Sequence, residues 1–135
     1  MGDIYINHLA VAVAALSNFA VGALWYSPLL FYKGWKTANG FTDEQVKQGN
    51  MAKIYGITLV AAFIMSYNMA FFLGSADTDW VWGTTAGFLT GFGWAFMIFL
   101  AIGLFEQRSW KYIGINGGYI IVYFTLIGFI LGIWR

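Results

Sequence analysis

Trp80-Val-Trp-Gly83-Thr-Thr-Ala-Gly87-Phe-Leu-Thr-Gly91-Phe-Gly-Trp-Ala95 opens a run from Trp80 to Phe105 that holds no charged side chain over 26 residues. As a helix that run rises about 39 Å, more than the ~30 Å hydrocarbon core of a bilayer. Lipid offers the backbone no hydrogen-bond partner, so a chain crossing it has to bond internally as an α-helix. Gly83, Gly87, Gly91 and Ala95 place a small residue on one face at every turn. Such a ridge lets another helix approach closely.

Outward from this run, the remaining charges fall in clusters with three more long gaps between them. Ile4–Tyr32 is free of charge for 29 residues, Ile54–Ala76 for 23 and Tyr112–Trp134 for 23. The pattern predicts an all-α, integral membrane four-helix bundle with spans near 5–27, 52–74, 80–105 and 112–134, forming one domain over residues 1–135. The composition agrees: 60% of the 135 residues are hydrophobic and only 10% charged. A soluble domain carries about 25% charge. A net charge of +1 with no basic stripe argues against a nucleic-acid partner, and the absence of Cys excludes disulfides and thiolate metal sites.

Four spans put the first and third loops on one side and the termini with the second loop on the other. The first side holds Lys33, Lys36, Lys47, Lys53, Arg108 and Lys111, and the second only Arg135. Basic residues are retained in the cytoplasm, so both termini are expected outside, in a bacterial inner (cytoplasmic) membrane. The aromatic residues fall in two belts: Trp25, Trp35 and Trp110 with Tyr26, Tyr32, Tyr55 and Tyr112 at the inner ends, and Tyr5, Trp80, Trp82 and Trp134 at the outer ends. An apolar run this long behind Asp3, with no basic n-region, does not read as a cleaved secretory signal.

Local signals punctuate the first loop. Thr42 and Gln45 have the spacing of a capping box, predicting a short interfacial helix over Thr42–Gln48. Gly49 suits a left-handed C-cap and Asn50 the N-cap of the second span. Pro28 ends or kinks the first span, Asp79 caps the third, and the short Gly74–Asp79 link predicts an antiparallel hairpin of spans two and three.

Small residues recur in every span: Ala10, Ala14, Asn18 and Gly22; Ala62, Ser66, Ala70 and Gly74; Gly114 with Gly118, and Gly128 with Gly132. Packing within the bundle is the plainer use of these ridges. A contact between copies through Gly83, Gly87, Gly91, Ala62, Ser66, Ala70, Gly128 or Gly132 is the sharper one.

Polar groups inside the membrane are few. Asn18 lies near mid-depth, where an unpaired amide is costly, and Asn68 is its candidate partner. His8, the lone histidine, fits an interfacial hydrogen bond better than a porphyrin ligand, since no second ligand accompanies it. Glu106 fits an ion pair with Lys53, Arg108 or Lys111. Asp77 and Asp79 are too few to encircle Ca²⁺. No phosphate-binding loop, dinucleotide fingerprint or hydrolase motif is present, so no catalytic residue, metal site or cofactor is expected.

Three segments together resemble the domain-of-unknown-function 1761 family of small four-helix bacterial membrane proteins. They are Gly22-Ala-Leu-Trp-Tyr-Ser-Pro-Leu-Leu-Phe31 with Lys33 and Trp35, Gly49-Asn-Met-Ala-Lys53, and Leu104-Phe-Glu-Gln-Arg-Ser-Trp110 continuing to Ile115-Asn-Gly-Gly-Tyr119 and Leu131-Gly-Ile-Trp134. The resemblance covers nearly the whole chain. It implies the fold and topology above and carries no activity. Members often have a histidine after the Gly-Tyr of the fourth span, where this chain has Ile120. By position the resemblance marks Trp25, Tyr26, Ser27, Pro28, Lys33, Trp35, Lys53, Glu106, Asn116 and Tyr119, nearly all at the cytoplasmic helix ends, as a candidate site.

The leading expectation is a non-enzymatic membrane protein that self-associates or serves as an accessory subunit of a larger complex. The alternative is a small oligomeric channel or transporter, for which Asn18, Ser66, Asn68, Thr90 and Tyr123 would have to form one polar row. A membrane enzyme or pigment-binding subunit is a third class with less in the sequence to support it.

Overall fold

The chain folds, in a computed structural model describing residues 3–135, into helices joined by turns, with no strand among the described residues. In chain order they are α1 (His8–Trp25), α2 (Tyr32–Asn39), α3 (Asp43–Lys47), α4 (Met51–Phe72), α5 (Trp80–Phe105) and α6 (Trp110–Ile133). Helices α1, α4, α5 and α6 are long and apolar enough to cross a membrane, and they match the four charge-free runs.

Side chains at the helix starts set the boundaries. Asn7, Asn50, Asp79 and Ser109 each accept a hydrogen bond from a backbone N–H of the first turn, satisfying donors that have no partner inside the helix. The Thr42–Gln45 capping box is complete in both directions. It opens α3, which is thus one residue shorter at each end than the segment Thr42–Gln48. The polar loop contains a second helix, α2, that the sequence pattern did not disclose. The left-handed C-cap is Gly40 at φ 67°, closing α2, and not Gly49, because α3 ends without a left-handed residue. Lys36 at the end of α2 donates to Asp43 at the start of α3. The Lys36 ammonium holds the Asp43 carboxyl below the usual carboxylate range. The pair therefore contributes at neutral pH and is lost as pH falls through that lowered value.

Helix α6 is the centre of the bundle. It packs along its length on α5, and on α1 by another face; α1 packs in turn on α4. Helices α4 and α5, although joined by the short Gly74–Asp79 turn, pack mainly on α1 and α6 and not as the expected two-helix hairpin. The reason is shape: α5 turns its glycine ridge toward α6, and α4 turns Ala62, Ser66 and Ala70 inward.

The α5–α6 contact is backbone against backbone. A Cβ added to Gly83 would overlap the Gly128 carbonyl oxygen and stand 2.8 Å from the Gly132 Cα. One added to Gly87 would overlap the Phe124 carbonyl. These ridges are thus filled within one chain, and nothing of Gly83, Gly87, Gly91, Gly128 or Gly132 is left for a second copy to use. The ridge also does not continue to Ala95. Gly91–Phe96 forms a π-helical turn, which steps the contact stripe by five residues from Gly91 to Phe96. The Phe96 ring lies on Gly117, and Gly103 then faces Ile113.

Tyr5 and Arg135 lie at one end, as four spans require. The Tyr5 N–H donates to the Gly74 carbonyl at 3.0 Å. The Arg135 guanidinium donates to the carbonyl of Leu73 (2.5 Å), which the end of α4 leaves unpaired, and to that of Ser75 (2.7 Å) in the turn, which also takes the Thr78 N–H. At the other end α2 lies on α6, and α5 closes on Gln107 in the left-handed region at φ 57°.

Candidate functional site

The loop end, where α2 and the α5–α6 turn lie, gathers half of the marked residues into one joint. At the end of α1, the Trp25 ring lies over Gly118 of α6, and its Nε1 donates to the Ile115 carbonyl at 2.7 Å. The Tyr26 hydroxyl donates to Asn116 Oδ1 at 2.6 Å, and Asn116 Nδ2 donates to the Tyr112 carbonyl at 3.1 Å. The Tyr26 ring meets Tyr119 at 5.5 Å and Trp35 at 6.2 Å between centroids. Trp25, Tyr26, Trp35, Asn116 and Tyr119 therefore form one assembly that fastens α1 and α2 to α6.

Ser27 and Pro28 make the turn behind it. Ser27 Oγ donates to the Leu24 carbonyl, and the Phe31 N–H returns to the Trp25 carbonyl. Proline cannot continue the helix, and the reversal seats Phe31 against Trp25 at 4.7 Å. Lys33, Lys53 and Glu106 are not brought into this assembly. Lys33 and Lys53 are exposed, and Glu106 reaches only Arg108, at 3.8 Å, which in turn lies 4.6 Å over the Tyr112 ring. The glycines opposite the aromatic rings, Gly22 against Tyr119 and Gly118 against Trp25, belong to the joint as well. The signal for them was a large ring and a small residue on facing helices, which only the pairing of helices makes readable.

Deeper in the bundle a second polar group lies between α1, α4 and α6. Asn18 is 5% exposed and stands beside the hydroxyls of Tyr119 and Tyr123. Asn68 is not its partner, because it projects from the opposite, exposed face of α4. The Tyr123 hydroxyl points to the Ala14 carbonyl at 3.4 Å, and the hydroxyl of Ser66, fully buried beside it, meets no partner in hydrogen-bonding geometry among the described residues. Toward the termini the same interface is apolar: Ala10, Val11, Met69, Ala70, Ile127 and Leu131 are buried there. His8 sits beyond them at the surface, its Nδ1 2.9 Å from the Tyr67 hydroxyl. Among the described residues no three His, Asp or Glu side chains come together.

The arrangement joins helices. Four apolar helices of membrane-crossing length, held by aromatic and amide bonds at one end and by glycine contacts along their length, define a multi-pass membrane protein. The chain belongs to the family described as a protein of unknown function (DUF1761), which matches residues 9–132 and so nearly all of it. No curated protein and no solved structure matches the chain.

Proposed function

We propose that this protein is a non-catalytic subunit of the membrane that associates with copies of itself or joins a larger membrane complex. The observation behind this reading is the uneven use of the helices. In α6, 33% of the spanning window is buried inside the chain, but in α4 only 22% and in α5 only 11%. From Met51 to Ile57, α4 is exposed on every side. Meanwhile Trp25 and Tyr26 spend their hydrogen bonds on α6, and Asn116 spends its own on Tyr26 and the Tyr112 carbonyl. The excess of basic residues in the loops favours a loop end in the cytoplasm of a bacterial inner membrane, with both termini outside. Native electrophoresis and light scattering after mild extraction test the association. A species larger than one 15.1 kDa chain is expected, and a clean monomer in every mild detergent and in lipid nanodiscs would overturn the reading.

The run Tyr26, Tyr119, Asn18, Tyr123 and Ser66 favours a second reading, a path for a small solute or proton. The apolar half of the interface beyond Ser66 weighs against it as a continuous path. Flux into liposomes that Asn18→Leu abolishes would establish this reading, and its absence would leave the first.

A further inference from the structure

We propose that the outward face of α4 is the contact surface for a second copy of this chain, with the two Asn68 amides hydrogen-bonded to each other across a two-fold axis. This rests on the self-association reading above and names the surface that would carry it.

Ile57, Val60, Ile64, Asn68 and Phe71 recur at intervals of three, four, four and three residues, so they form one stripe along α4. The stripe lies opposite Ala62, Ser66 and Ala70, the residues by which α4 packs inside the chain. Its apolar members are open: Ile57 is 61%, Val60 60%, Ile64 58% and Phe71 55% exposed. Beside it runs an open groove of about 510 Å³ lined by Leu59, Val60, Phe63, Ile64, Tyr67 and Asn68.

An apolar stripe alone is satisfied by lipid. Asn68 is the exception. It lies about 10 Å along the helix from the midpoint of α4, inside the ~15 Å half-thickness of the hydrocarbon. It forms none of the side-chain hydrogen bonds found among the described residues, and acyl chains can supply none. A partner must therefore bring an amide-matching group to that depth. Two copies inserted in the same direction carry every residue at the same depth, and a carboxamide is both donor and acceptor. A second copy thus presents the required group without further adjustment. Lys53 stands on the same side of α4 at the loop end, so the two helices are expected to cross nearest Asn68 and to diverge toward Lys53.

The chain has no cysteine, so single cysteines report contacts without background. Ile64→Cys and Phe71→Cys are expected to form disulfide-linked dimers on mild oxidation in native membranes. Lys53→Cys at the diverging end and Phe88→Cys on the exposed face of α5 are expected not to. Adding Asn68→Leu to Ile64→Cys is expected to reduce the dimer about five-fold or more, the effect of an interhelical amide bond in a membrane, and Asn68→Gln to restore it in part. Because Asn68 is exposed and forms no side-chain hydrogen bond among the described residues, Asn68→Leu is expected to leave the protomer fold intact. Its melting temperature in detergent confirms that the comparison is fair. A species larger than a monomer in the native-size measurement, with cross-links from Phe88→Cys and none from Ile64→Cys or Phe71→Cys, would overturn this surface and leave self-association standing. An unchanged cross-linking yield in Asn68→Leu would overturn the amide pairing. A monomer in membranes and in detergent would overturn both.

Discussion

Gly128→Leu is expected to prevent α5 from packing on α6, whereas Gly93→Leu leaves the protein folded. A side chain at Gly128 would overlap the Gly83 carbonyl and stand 2.9 Å from the Gly87 Cα, so everything in its way is backbone. A flexible side chain could turn aside, but two helix backbones can only separate, and separation undoes the contact along its whole length. Overpacking a core costs about 1–3 kcal/mol where side chains can adjust. At Gly128 the cost lies at or beyond the upper end of that range. Gly93 has nothing within 4 Å of an added Cβ, on the same helix as Gly83 and in an equally apolar setting. Thermal denaturation in detergent compares the two: loss of the folded fraction or a fall of many degrees for Gly128→Leu, and a near-native transition for Gly93→Leu. Equal behaviour would show that the α5–α6 contact is not glycine-dependent. Because the ridge is filled within one chain, Gly87→Leu and Gly91→Leu are expected to act on folding before they act on oligomer size.

Trp25→Ala is the second substitution with a large expected effect. It removes the ring seated on Gly118 and Phe31, and it removes the indole donor to the Ile115 carbonyl. Truncating a fully buried Trp costs about 3–5 kcal/mol. Trp25 is half-buried, so about 2–3 kcal/mol is expected, read as a lowered melting temperature and faster hydrogen exchange in α2 and the end of α1. Trp25→Phe keeps most of the ring contact and loses the hydrogen bond, and should cost about 1 kcal/mol. If Trp25→Ala were as mild as Trp25→Phe, the joint would be held by Tyr26 and Asn116 alone. Gly118→Leu attacks the same contact from α6, since an added Cβ would stand 2.7 Å from the Trp25 ring. Trp25→Ala should relieve part of that damage.

Much of the candidate site was readable as a set of residues but not as an assembly. Trp25 and Tyr26 stand 90 and more positions from Asn116 and Tyr119 in the chain, and nothing local to either segment says that the end of α1 meets α6 there. The same holds for Asn18, whose neighbours are Tyr119 and Tyr123 and not Asn68. The periodicity of α4 places Asn68 and Ser66 on different faces, but which face turns inward depends on the helix it packs against. Arg135, in the sequence a lone outer charge, caps α4 because the end of α6 and the α4–α5 turn lie together.

Sequence alone determined the four spans, their caps at Asn50 and Asp79, and the capping box of Thr42 and Gln45. Each of these follows from short-range chemistry: a charge cannot sit in hydrocarbon, and an unpaired N–H at a helix start takes the nearest side-chain acceptor. Where several residues could serve the same local role, the tertiary structure decided. Gly40 and not Gly49 took the left-handed cap, Gln107 occupies a conformation that favours glycine, and a π turn moved the α5 contact from Ala95 to Phe96. Those choices depend on the rotation and separation of packed helices, which residues distant in sequence set together. The glycine ridges were legible as ridges, but only the packing of α5 on α6 showed that one chain fills them itself.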